Sequence, residues 1–110
     1  AQQTSITTLA FVTLHPSSQL AMLRWGAVTV QNQSDYVIER AGSNLDWEEV
    51  EMINSKETAQ HLNTYRWLDQ QPLEGINHYR IKQIDAAGQV RYSAVRSFLF
   101  TPERQLAARR

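Results

Sequence analysis

The sequence predicts an all-β domain, a seven-stranded antiparallel sandwich, and three observations carry that reading. Short runs rich in Val, Ile, Thr, Tyr, Phe and Trp recur about every 8 to 14 residues, the rhythm of a sandwich or barrel. Polar turn clusters separate them, and the four glycines, Gly26, Gly42, Gly75 and Gly88, read as one per turn. Within the runs apolar and polar residues alternate, as Tyr79 and Ile81 do with Arg80 and Lys82, which is the pattern of a half-buried strand.

Taken in order, Thr4 to Leu14 reads as the first strand, ended by His15-Pro16-Ser17-Ser18. Gln19 to Trp25 is the second, with Ala21, Leu23 and Trp25 on one face and Leu20, Met22 and Arg24 on the other. After the polar loop Gln31 to Asp35, Tyr36 to Arg40 forms the third, with Tyr36 and Ile38 on the same side. Gly42-Ser43-Asn44 turns into the fourth, Trp47 to Ile53. A polar stretch, Asn54 to His61, follows, and Glu57 to Leu62 fits one helical turn within it. Asn63 to Asp69 is the fifth strand, with Tyr65 and Trp67 on one face. Leu73-Glu74-Gly75 leads into the sixth, Ile76 to Asp85; Ala86-Ala87-Gly88 is the tightest hairpin signal, and Val90 to Phe100 returns from it. Thr101-Pro102-Glu103 resembles a helix start, but the few residues that follow are too short for an isolated helix. The domain is therefore expected over residues 1–101, with 102–110 as a C-terminal linker or frayed tail.

Composition narrows the function. A chain of 110 residues makes one domain and buries roughly two thirds of its unfolded surface. Eleven basic residues balance eleven acidic ones, so the basic excess of a nucleic-acid binder is missing, and attraction to an anionic membrane is disfavoured for the same reason. Cysteine is absent, which removes disulfides, thiolate zinc sites and cysteine nucleophiles. No apolar stretch is long enough for a membrane-spanning helix, and no leader sequence is visible. The start Ala1-Gln2-Gln3 suits equally a chain trimmed of a leader and one cut from a longer protein.

At Leu73-Glu74-Gly75-Ile76-Asn77-His78-Tyr79 the chain resembles the turn into the sixth strand of fibronectin type III domains, which are immunoglobulin-like sandwiches. The resemblance implies that the Tyr79 hydroxyl bonds back to the backbone near Leu73–Gly75, and that Trp25 is the core tryptophan. A more specific likeness is to modules of exported Bacteroidota proteins, of the kind found before type IX secretion sorting domains. Ile38-Glu39-Arg40, Trp47 with Val50, Tyr65, Trp67 and Asp69, Tyr79-Arg80-Ile81-Lys82-Gln83-Ile84-Asp85, Gly88 and Tyr92-Ser93 carry it. It covers about Leu20 to Phe100 and implies a secreted or cell-surface protein.

Sites for chemistry are sparse. His15, His61 and His78 lack zinc-ligand spacing. Ser17, Ser18, Ser34 and Ser43 sit where turns want serine, and Glu48 and Glu49 fall on opposite faces of a strand. Asp35, Asp46, Asp69 and Asp85 would bind calcium only if two loops converged. The expectation is no enzyme, no cofactor and no metal. Glu39, Arg80, Lys82, Arg91 and Arg96 are expected to share the outer face of one sheet as a docking surface for an adjacent domain of the same protein or for another surface protein. The alternative is a carbohydrate-binding module in which Trp47 and the polar loops contact a glycan, since exposed aromatics grip sugars. Both readings exclude nucleic acid and membrane insertion.

Overall fold

The computed structural model describes residues 7–29, 34–54, 62–85 and 87–102, and these form strands and turns. The strands are β1 (Thr7–Ser17), β2 (Leu20–Thr29), β3 (Ser34–Ala41), β4 (Glu48–Asn54), β5 (Leu62–Asp69), β6 (Gly75–Asp85), β7 (Val90–Tyr92) and β8 (Arg96–Phe100). All pairings are antiparallel. One sheet has the order β1-β2-β5; the other runs β4-β3-β6, with β7 and β8 taking successive stretches of the far edge of β6.

Alternation decides what each sheet turns inward. On β6 the buried residues are Asn77, Tyr79, Ile81 and Gln83, and those between them are half-exposed. On β2 they include Ala21, Leu23, Trp25 and Ala27. The core between the sheets is aromatic at its centre. Trp25 of β2 stacks on Tyr65 of β5, with ring centroids 5.5 Å apart, and meets Tyr36 of β3 edge-on at 5.9 Å. Tyr36 and Tyr65 lie 4.9 Å apart, so one three-ring cluster joins the two sheets.

Four details depart from the sequence reading. The second strand does not end at Trp25 but runs through Gly26, which is no turn residue, to Thr29. The first strand does not stop at His15. It continues through Pro16, which an edge strand tolerates, and turns at Ser18 and Gln19, whose φ angles of 52° and 67° suit a tight two-residue hairpin. The returning strand after Gly88 is broken. Between the pairs Lys82↔Tyr92 and Tyr79↔Arg96, β6 advances three residues and its partner four, which makes a bulge over Ser93–Val95. Ser93 holds it: Ile81 N–H donates to Ser93 Oγ at 2.8 Å, and Ser93 N–H donates to the Ile81 carbonyl at 2.9 Å. Finally, the strand expected from Trp47 starts at Glu48, because Trp47 ends the preceding loop. The expected start at Thr4, the helical turn over Glu57–Leu62, His61 and the tail beyond Pro102 lie largely or wholly outside the described residues.

Gly26 has a packing reason. It lies on the outward face of β2, and the Phe11 ring covers it so closely that an added Cβ would stand 2.4 Å from Phe11 Cε2. A large ring on β1 thus shields the bare backbone beside it.

Candidate functional site

The outer face of the larger sheet is built around Arg80. Register places Glu39 of β3 directly beside it, and the guanidinium Nε donates to Glu39 Oε1 at 2.7 Å. The Glu39 side chain is 7 % exposed and that of Arg80 24 %, so this pair is better shielded than an ordinary surface bridge. Two rings enclose the guanidinium. Trp47, from the loop before β4, and Tyr92 of β7 each lie with ring centroids 4.2 Å from Arg80 Cζ. Cation–π contacts of this kind contribute about 0.5–1 kcal/mol when exposed and more when dry. The next row along the sheet is Met52, Val37, Lys82 and Tyr92. Lys82 Nζ reaches Glu49 Oε2 at 3.5 Å, while Val37 is buried beneath its neighbours even though it faces away from the core. Met52 and Tyr92 remain 56 % and 50 % exposed.

Glu39, Arg80 and Lys82 therefore come together as expected of one face. Arg91 and Arg96 do not. Arg91 is paired with Gln83, a buried, inward position, which puts Arg91 on the opposite side of the sheet from Lys82. The bulge shifts the phase of the chain, so Arg96 comes to lie opposite inward-facing Tyr79. From there its Nε donates to the Val12 carbonyl of β1 at 2.9 Å and ties the two sheets together at that side. Trp47 is half-buried on the outer face, and one face of its ring is taken by Arg80. Trp25 is fully buried in the core, and Trp67 is half-buried and packs against it.

A second polar cluster sits at one end of the sandwich, around Asp69 at the end of β5. Tyr79 Oη donates to Asp69 Oδ2 at 2.5 Å, Arg40 Nη1 donates to both carboxylate oxygens at 3.0–3.1 Å, and Gln71 N–H donates to Oδ1 at 3.0 Å. The backbone acceptor expected for Tyr79 is thus replaced by a side-chain carboxylate. The turn backbone is instead closed by Asn77, whose amide accepts from Leu73 N–H at 2.8 Å and donates to the Leu73 carbonyl at 2.7 Å. Burial pushes the Tyr79 hydroxyl far above its ordinary pKa, with the Asp69 hydrogen bond and charge adding to the rise and Arg40 opposing it. Arg40, Asp69 and Trp67 also border a cleft of about 520 Å³ between the facing edges of β4 and β5.

The other aspartates are dispersed. Asp46 is bound up with Asn44, and Asp85 Oδ1 accepts from the N–H groups of Ala87 and Gln89 in the hairpin. Among the described residues no three His, Cys, Asp or Glu side chains converge as a metal site would require. His78 Nδ1 lies 2.7 Å from Ser97 Oγ across the β6–β8 pair.

Two participants have roles here that the sequence reading does not assign them. Tyr92 entered only as part of a motif, since nothing local reveals which strand it will lie beside. Asp69 had a signal: it continues the inward series Tyr65, Trp67, Asp69, and a carboxylate on a core face demands donors. No protein-family model matches the chain, and no match among curated proteins is found.

Proposed function

We propose that this chain is a non-catalytic interaction module, a fibronectin type III-like sandwich that docks a neighbouring domain or partner protein through the outer face of its larger sheet. The three-strand order β1-β2-β5 set against β4-β3-β6 with β7 and β8 supports the fold assignment. The sequence likeness to modules of exported Bacteroidota proteins supports placing it in a secreted or surface-associated protein. The observation that carries the docking role is the Trp47–Arg80–Tyr92 stack held on Glu39. It fixes an arginine and two aromatics on a rigid sheet and leaves Tyr92 and Met52 half-exposed. Aromatics, methionine and arginine are the residues enriched in protein interfaces. Stacking on Arg80 occupies one face of Trp47, which weighs against its use as a sugar platform.

The test must spare Glu39. Reversing the charge of Arg80 would leave a shielded carboxylate beside a like charge and unsettle the sheet. Met52→Ser with Tyr92→Ser removes exposed apolar surface while keeping that ion pair. Calorimetric titration of the module with the domain adjacent to it in its parent protein is expected to show at least about tenfold weaker binding for the double variant. Unchanged affinity would discard this face as the interface.

A further inference from the structure

The outward charges of the two sheets are balanced differently. On the larger sheet Glu39 is matched by Arg80 and Glu49 by Lys82. On the smaller sheet Arg24 of β2 and Arg66 of β5 stand directly opposite one another, both exposed and both on the outward side. Neither has a carboxylate partner among the described residues; Arg24 only approaches the Phe11 ring, 6.0 Å from its centroid. Like charges directly opposite across a strand pair are destabilising, so this arrangement costs the isolated domain something. Two adjacent guanidiniums are also a ready fork for carboxylates.

The same arginines border an unpaired backbone. β5 is an edge strand, bonded to β2 on one side, and among the described residues nothing pairs with its other side. A cleft of about 490 Å³ runs along that edge, lined by Arg24, Thr64 and Arg66 with Tyr65 and Ile53. Among the described residues no acidic side chain lines it. Tyr65 is 6 % exposed and belongs to the core, so among the described residues lining the cleft no ring lies open for a sugar or a base to stack on. An edge strand offers alternating N–H and C=O groups, which an extended peptide matches along its whole length.

We propose that the β5 edge accepts an extended acidic segment of a protein partner, added as a further strand, with its outward carboxylates directed to Arg66 and to Arg24 behind it in the same cross-strand row. This surface is separate from the Arg80 face, so either assignment can fail without the other.

The probe is a capped peptide alternating Glu and Thr, titrated into isotope-labelled protein and followed by amide chemical shifts, with a Lys–Thr peptide and a sulfated oligosaccharide as controls. The expected result is saturable shifts concentrated on amides 62–69 with the acidic peptide alone, weakening as salt rises. Arg24→Glu with Arg66→Glu should weaken binding by at least about tenfold, and Arg24→Gln with Arg66→Gln serves if the reversal disturbs folding. Tyr92→Ser should leave the affinity unchanged. Absence of saturable shifts, or shifts undiminished in both arginine variants, would overturn the proposal. So would equal binding of the sulfated oligosaccharide with the β5 amides unmoved, which would make the pair a simple oxyanion site.

Discussion

Asp69 receives hydrogen bonds from Tyr79, Arg40 and Gln71, and these donors come from β6, β3 and the loop after β5. One carboxylate thereby fastens the end of the smaller sheet to the middle strands of the larger. Because the acceptor is charged, the Tyr79 hydroxyl contributes more than an ordinary neutral bond. Tyr79→Phe is expected to lower stability by about 1.5–3 kcal/mol, measured by urea unfolding. Tyr79→Ala adds a cavity in the core and should cost about 3–5 kcal/mol. A Phe variant as stable as wild type would mean that Asp69 is satisfied without the hydroxyl.

At the scale of the element, the β1–β2 pair shows how a glycine and an aromatic are matched. A Cβ on Gly26 would collide with the Phe11 ring, which would have to swing off the strand. Gly26→Ala is therefore expected to destabilise by about 1–3 kcal/mol. In a Phe11→Ala background the same change should be neutral or stabilising, since glycine weakens a strand interior when nothing covers it. Thermal unfolding of the four proteins gives the coupling directly, and equal costs in both backgrounds would refute it. The bulge before β8 matters in the same way: a single extra residue turns Arg96 from the outer face to the inter-sheet seam, where it holds the Val12 carbonyl.

For the molecule as a whole, alternation made the inward series legible. Trp25, Tyr36, Ile38, Tyr65, Tyr79 and Ile81 are all buried, with Trp67 half-buried at their margin. The all-β class and its two antiparallel sheets follow from the same period of two. The Arg80 stack was only half legible. Glu39, Arg80 and Lys82 alternate within their own strands, but the partners Trp47 and Tyr92 depend on strand pairing across long stretches of sequence. The phase change at Ser93–Val95 has no local signature strong enough to announce it. The core also sets a pH limit. Tyr36 and Tyr79 are both pushed well above the ordinary tyrosine value, chiefly by burial, with Tyr65 adding to it for Tyr36 and Asp69 for Tyr79. As pH rises past about 10, the unfolded chain loses these protons while the folded one retains them. Stability is therefore expected to be flat up to that point and to fall beyond it. Melting temperature against pH checks this, and Tyr36→Phe with Tyr79→Phe should flatten the alkaline fall; an unaltered slope would place its origin elsewhere.

The pairing of Glu39 with Arg80 and Glu49 with Lys82 has a kinetic meaning. Their charges cancel within a few ångströms, so little field extends above that sheet past a Debye length of about 8 Å. If that face is the docking surface proposed above, a partner would meet it by undirected collision, at the slower association rates of about 10⁵–10⁶ M⁻¹s⁻¹ that go without electrostatic steering. Selectivity would then lie in how long the complex lasts, set by how well Tyr92 and Met52 are covered once contact is made.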